Sequence, residues 1–491
     1  MNLAETRRRA RLARSQVAVR EPAGKAPTEP VARAQPEANT VGLAPGLRDW
    51  IGVLAMGVGL FMAIMDVQIV TSSLSQIQGG LSASADEIAW VQTAYLIADV
   101  VMVPMCGIMS RLLSTRVLFV VAAVGFTGTS ALCATATSLG QMIVYRAMQG
   151  FFGGAITPTV WPVVYTKFRG RQLATVIAII SVILSLSSTL GPTLGGFLTD
   201  TFSWHWLFLV NIVPGLLVAT VVWVTIDIDK PNLSLLRDFD VTGMLLMATF
   251  LGCLQYALQE GPRLDWLDDD TIRAAVAVSS VGGSLFFWRA LTYRQPIVDL
   301  RAYLNRNFAF GSFFTFVVGI GMYGTTFLVP LFLAQVRGYN ALQIGMTIIV
   351  TGLVTMIMSP LSTWIARRLD LRLMLAIGFG LFAFSMYLTA TLTNQTGFWE
   401  LFVPQVVRGL GLICCYLPAN MIALGTLPQD NMRNAAGLYN LTRDLGGAIG
   451  LATIVDVDER AAAFSLEPVD REHQPCPCFG ATFPRVADQP F

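Results

Sequence analysis

The sequence predicts an all-α polytopic membrane protein made of two six-helix-type bundles with two further helices inserted between them. Three observations predict it. The 491 residues are 54% hydrophobic and only 13% charged, about half the charged share of a soluble chain. Apolar runs of about twenty residues recur, separated by short charged loops. Short sequence patterns also repeat at an offset near 256.

Thirteen spans are expected, roughly at 50–72, 88–110, 117–136, 139–163, 173–199, 206–226, 240–259, 272–293, 308–334, 341–366, 371–392, 398–425 and 434–455. In lipid the backbone must satisfy its own hydrogen bonds, so each span is read as a helix. At about 1.5 Å rise per residue each is long enough for a hydrocarbon core of about 30 Å. The last is the least apolar, because Arg443 and Asp444 fall in its middle.

Residues 1–47 are rich in Arg, Ala, Pro and Glu and hold no apolar run, so they read as a disordered tail without a signal peptide. Placing this tail in the cytoplasm puts Arg7, Arg8, Arg9, Arg11 and Arg14 inside. The even-numbered loops add Arg111, Arg116, Lys167, Arg169, Arg171 and others as far as Arg433. The odd-numbered loops hold only Arg263, Arg273 and Arg337. The positive-inside rule then gives a cytoplasmic N-terminus. The five cysteines in apolar spans read as small packing residues. Cys476 and Cys478 do not match a zinc spacing. With only His205 and His473 in the chain, and no phosphate-binding lysine motif, no metal site, cofactor or enzyme activity is expected.

The repeat carries the domain plan. "PMCGIMSRLLSTRVL" (104–118) lies on "PLSTWIARRLDLRLM" (360–374), and "LGPTLGGFLT" (190–199) on "LGGAIGLATI" (445–454). Gly150 of "RAMQG" falls on Gly409 of "PQVVRG", with the polar pair exchanged: Arg146 and Gln149 against Gln405 and Arg408. The expected organisation is a tail (1–47), a six-helix bundle (48–228), two inserted helices (239–293), a second bundle with five visible helices (303–455) and a polar tail (456–491). Parallel six-helix repeats form transporters with their site at the repeat interface. The sixth span requires a partner near 462–482, yet "AAFSLEPVDREHQPCPCFGAT" cannot cross a membrane. Either the copy lacks its last helix or the final segment comes from a shifted reading frame; the second is the expectation.

On these residues the chain resembles a known family. "RAMQGFFGG" and "LGPTLGG" look like motifs of the drug:proton antiporters of the major facilitator superfamily. "MDVQIV", "WHWLFLVNIVPG" and "PIVDLRAYLNRNFAFG" narrow the resemblance to the fourteen-span EmrB/QacA type, over roughly residues 50–454. It implies the major facilitator fold and a proton-driven exporter of hydrophobic, drug-like compounds in the inner membrane. A periplasmic adaptor and an outer-membrane channel are implied as partners. The loop motif after the second span, carried by Gly107, Arg111 and Arg116, departs from the family pattern. Ser114 stands where a second glycine is usual, and a looser turn is expected there.

An ionised carboxylate in hydrocarbon costs at least about 2.5–3.5 kcal/mol, so Asp66 is expected to face the bundle interior or a watery cavity. Burial disfavours its charged form, and the family's first-span acid is tied to proton coupling. The alternative is a structural acid bonded to backbone or to Gln68. Arg146 needs a partner and is expected to meet Asp66 or Asp99, with Gln149 one turn on. Asp99 shares a stripe with Tyr95 and Met102 that could line a cavity and is, with Asp66 and Arg146, a candidate for proton coupling; an acid locking the second span to a neighbour is the alternative. Gly191, Pro192, Gly195 and Gly196 form a kinked, close-packing face, which the family motif links to sealing against proton leak; generic packing is the alternative. The cavity candidates are Gln68, Tyr95, Gln149, Gln255, Arg408, Asn440, Arg443 and Asp444, with Tyr256, Gln259 and Asn420 behind them. Trp90, Phe151, Trp161, Phe313, Phe316 and Met322 could supply an apolar pocket. Two other functions stay open: an exporter or facilitator of one metabolite or siderophore, and a truncated, non-transporting product.

Overall fold

The computed structural model describes residues 46–84, 87–293, 296–335, 337–339, 341–366, 368–390 and 397–466. The N-terminal arginines, Cys476, Cys478 and most of the segment 462–482 lie outside them. Among the described residues there is helix and no strand. In chain order the helices are α1 (Leu47–Ser72), α2 (Leu74–Leu81), α3 (Trp90–Leu113), α4 (Thr115–Cys133), α5 (Leu139–Lys167), α6 (Gly170–Thr201), α7 (Trp206–Leu209) and α8 (Ile212–Thr225). They continue with α9 (Val241–Glu260), α10 (Asp270–Thr292), α11 (Arg306–Gln335), α12 (Ala341–Ile365), α13 (Leu371–Ala390), α14 (Phe398–Ala423) and α15 (Gln429–Leu466).

Every expected span falls on one of these helices, the sixth on α7 and α8 together. Ten are long and apolar enough to cross a membrane by length and composition, and the chain is a multi-pass membrane protein. The long helices α5, α6 and α15 are outside that ten. α5 and α15 carry Arg146, Gln149, Arg443 and Asp444, which a helix facing lipid could not hold. The outward faces are apolar instead. Val213, Leu217, Val281, Trp288, Ile357 and Phe384 are each at least 51% exposed, as a hydrocarbon solvent demands.

Packing repeats between the halves. α1 packs on α6, and α11 on α15; α3 packs on α5, and α12 on α14. The glycines show the register. A Cβ on Gly150 would overlap the Tyr95 carbonyl on α3, and one on Gly409 would sit 2.8 Å from the Thr351 carbonyl on α12. Tyr95 and Thr351 stand at the same offset as the aligned prolines, Pro104 and Pro360. Gly191 abuts Gln68 of α1, as Gly446 abuts Phe316 of α11. The halves meet through two matching contacts, α3 with α15 and α6 with α12. The inserted pair α9–α10 is tied by Arg289 Nε to Asp240 Oδ1 (2.7 Å). It leans on α3, where Thr93 Oγ1 donates to the buried Glu260 (2.7 Å).

The turn after α3 differs from expectation. Ser114 has φ 80° and ψ 150°, a region that glycine alone enters without strain. The turn is therefore not loosened; serine holds the glycine-type conformation. Its Oγ accepts from Val117 N (3.3 Å), and Asp229 accepts from Thr115 N (3.0 Å) while pairing with Arg433 of α15 at 3.0 Å. Neighbouring contacts compensate the strain.

Candidate functional site: a buried ion pair beside an inter-bundle cavity

Asp66 lies in the middle of α1 with no exposed surface. Its Oδ2 accepts from Arg146 Nη1 at 2.6 Å. Its Oδ1 accepts from Asn211 Nδ2 (2.8 Å) and Gln149 Nε2 (3.1 Å). Arg146 is equally buried. It also donates to Gln149 Oε1 (2.7 Å), to the Val91 carbonyl (3.3 Å) and to Gln92 Oε1 (3.4 Å). Asn211 donates further to Ser130 Oγ (3.2 Å), which donates to the Phe208 carbonyl. A buried ion pair balances its desolvation cost only when its remaining lone pairs and protons are satisfied, and here α3, α5 and the α7–α8 break supply those partners.

Local sequence explains the assembly. Gly150 and Gly154, one turn apart, let α5 press against the Tyr95 and Asp99 carbonyls of α3, a small-x-x-x-small contact. That closeness brings the Tyr95 ring over the guanidinium, with Arg146 Cζ 4.3 Å from its centroid. Asn211 occupies the short interruption between α7 and α8, where the backbone keeps right-handed helical dihedrals and the side-chain amide is buried. Pro214 follows in the first turn of α8, where a missing N–H costs little.

Beside this pair lies a cavity of about 170 Å³ between the bundles. Drug-sized ligands occupy pockets of about 300–1,000 Å³, so the cavity in this conformation is smaller than such a ligand fills. Gln68, Tyr95, Asp99 and Pro192 line it from the first half, and Met322, Arg408, Arg443 and Asp444 from the second. Arg443 and Asp444 pair with each other (Nη2–Oδ1 3.0 Å). They are steadied by Tyr416 OH, 3.4 Å from Arg443 Nη1, and by Tyr323 OH, which donates to Asp444 at 3.3 Å. Asp66, Arg146 and Gln149 are not on the cavity wall. Tyr95 is: one face of the same residue covers the arginine and its side chain borders the cavity.

The other expected residues sort cleanly. Asp99 lines the cavity rather than meeting Arg146. Gly191 and Gly195 seat α6 against α1 at Gln68 and Ile69, Gly196 is buried beside them, and Pro192 reaches the cavity. Gln149 belongs to the ion-pair cluster. Gln255 is buried in α9, away from the cavity wall, and Asn440 donates back to the Ala436 carbonyl (2.8 Å). Gly107 abuts Asn434 at the start of α15. Arg111 is exposed, its carbonyl receiving Asn232 N, while Arg116 lies 3.8 Å from Asp227 and over the Trp223 ring. Of the six apolar pocket candidates only Met322 lines the cavity. Trp90 stacks on Tyr256, Trp161 is sealed in the core, and Phe151 and Phe313 face outward. Sequence reasoning missed Asn211, Gln92, Ser130, Tyr323 and Tyr416. A lone asparagine in an apolar span, three residues before a proline, was a usable signal for the first.

The sequence model of the Major Facilitator Superfamily matches residues 56–451. The colistin resistance protein EmrB of Acinetobacter baumannii is 42% identical over 410 residues, 84% of this chain and 80% of that protein. The multidrug export protein EmrB of Haemophilus influenzae is 30% identical over 81% of this chain and 78% of its own length. The solved structure of the proton:xylose symporter XylE shares the fold, with a TM-score of 0.58 at 12% identity over 84% of this chain and 89% of that one. The chain belongs to the major facilitator superfamily, and within it to the EmrB/QacA type.

Proposed function

We propose that the protein is a proton-coupled efflux transporter that moves hydrophobic, drug-like compounds out across the inner membrane by alternating access. Its relatives' names, multidrug export and drug resistance proteins, favour this substrate class. The observation that carries the coupling is the Asp66–Arg146 pair, buried and hydrogen-bonded, with the Tyr95 ring packed on Arg146 and Tyr95 also lining the cavity.

The cycle follows from what breaking such a pair costs. A proton arriving at Asp66 neutralises the carboxylate and leaves Arg146 as an uncompensated buried cation, a state disfavoured by several kcal/mol. Arg146 must then find new partners, and the α1–α5–α3 contact that holds it rearranges. Tyr95, seated on both the arginine and the cavity, passes that rearrangement to the substrate. The two matching inter-bundle contacts, α3–α15 and α6–α12, are the surfaces on which the halves rock. The gradient supplies about 2.3 kcal/mol per proton for each 100 mV of membrane potential, and the cycle draws on nothing else.

In this reading the N-terminal tail is cytoplasmic and the domain boundaries are those of the repeat. Gly191, Pro192, Gly195 and Gly196 hold α6 tightly enough to block proton leak, and Gly107, Arg111 and Arg116 gate the cytoplasmic end. A periplasmic adaptor and outer-membrane channel complete the export route. The test is dye efflux from proteoliposomes under an imposed pH gradient: Asp66→Asn, inserted normally, should export nothing. Normal gradient-driven efflux by that variant would end the proposal.

A further inference from the structure

The second half of the cavity holds a cation with no counter-charge. Arg408 of α14 is 6% exposed and lines the cavity wall. Among the described residues it makes no ion pair, and its Nε has no hydrogen-bond partner. The repeat makes this unusual. In the first half the α5 arginine is met by a carboxylate from α1. In the second half the polar pair on the matching helix is Gln405 and Arg408, and Gln405 is already bonded by Thr351 Oγ1. The helix standing where α1 stands, α11, contains no Asp or Glu, and neither do α12 and α13.

The acids that border the cavity do not fill the gap. Asp444 is held by Arg443 and Tyr323. Asp99 lines the same cavity, but among the described residues neither acid forms an ion pair with Arg408. A buried, unpaired guanidinium is unfavourable until an anion reaches it, and its planar fork suits a two-oxygen partner. Beside it the wall is apolar at Ile348, Leu412 and Ile413, with Thr351 and Thr355 as short polar groups.

We propose that Arg408 is the anion-recognising group of the cavity, binding the carboxylate or sulfonate head of an amphiphilic substrate whose apolar body lies along Ile348, Leu412 and Met322. This rests on the efflux reading above and narrows its substrate class to hydrophobic anions.

The test uses two fluorescent probes with one aromatic body: 8-anilinonaphthalene-1-sulfonate and its uncharged relative N-phenyl-1-naphthylamine. Binding is measured on the full chain in detergent, against detergent alone. Wild-type protein should prefer the sulfonate, and Arg408→Gln should lower the ratio of the two affinities by about tenfold or more, as expected for losing a charge-assisted bond. Arg408→Lys, which keeps the charge without the fork, should lose only part. An unchanged ratio in Arg408→Gln overturns the proposal. So does a wild-type protein that binds the uncharged probe as well as the sulfonate, a comparison that needs no variant to fold. Binding of neither probe would contradict the efflux reading and this proposal with it; binding of the uncharged probe alone would contradict only the anion site.

Discussion

Arg146 Nη1 stands 2.6 Å from Asp66 Oδ2, and neither side chain has any exposed surface. The two residues are 80 positions apart in sequence and meet where α1 packs against α5. Stability and coupling therefore respond differently to changes at this pair. Asp66→Asn strands the arginine and should destabilise the folded protein by about 3–5 kcal/mol, visible as a lower melting temperature in detergent. Asp66→Asn combined with Arg146→Gln removes both charges and should recover most of that loss while still failing to export. Recovery of export in the double variant would show that the pair is architectural.

Tyr95 packs its ring over Arg146 and also lines the cavity, and in the proposed cycle it seals one from the other. Tyr95→Ala removes a cation–π contact of about 0.5–2 kcal/mol and opens a path from the cavity to Arg146. Proteoliposomes carrying it should leak protons without substrate, read as faster collapse of an imposed pH gradient. Tyr95→Phe keeps the ring and should stay tight. A tight Tyr95→Ala protein would remove the tyrosine from the coupling scheme.

The repeat predicts matched damage at two distant glycines. Gly150→Ala and Gly409→Ala each force a methyl against a carbonyl on the neighbouring helix, an overpacking cost of about 1–3 kcal/mol. Gly150 has the tighter surroundings, so its variant should melt lower. Since the Gly150 contact also aims Tyr95, that variant should lose transport as well.

Ser114 offers the opposite sign. Its φ of 80° and ψ of 150° cost about 1–3 kcal/mol in a non-glycine residue. Replacing serine by glycine at a helix N-cap loses only a few tenths. Ser114→Gly should raise the melting temperature; a lower one would mean that the Oγ bond to Val117 outweighs the strain.

Much of this was legible in the sequence. The places of the helices and the register of the repeat follow from hydropathy and from prolines and glycines near one offset, because lipid leaves helices little freedom, although ten of the described helices, not thirteen, are apolar enough to cross a membrane by length and composition. Asp66 and Arg146 were legible as a pair because hydrocarbon does not tolerate either alone. The choice of Asp66 over Asp99 as partner was not. It depends on Gly150 and Gly154 setting how far α5 slides along α3, a packing distance that one sequence does not encode visibly. The aromatic pocket candidates failed for a related reason: in a membrane protein, large apolar side chains are as welcome outside as inside, so Phe151 and Phe313 carried no signal of direction. Asn211 was overlooked because it was read as part of a motif rather than as a polar group needing a partner.

In the proposed cycle Asp66 gives up a proton when substrate is taken and accepts one when it leaves. The most direct measurement is proton release from purified protein in weakly buffered detergent on adding N-phenyl-1-naphthylamine. Wild-type protein should acidify the medium in proportion to the probe bound, and Asp66→Asn, binding the same probe, should release nothing. Equal acidification by both proteins would contradict the claim, whatever the variant does in transport.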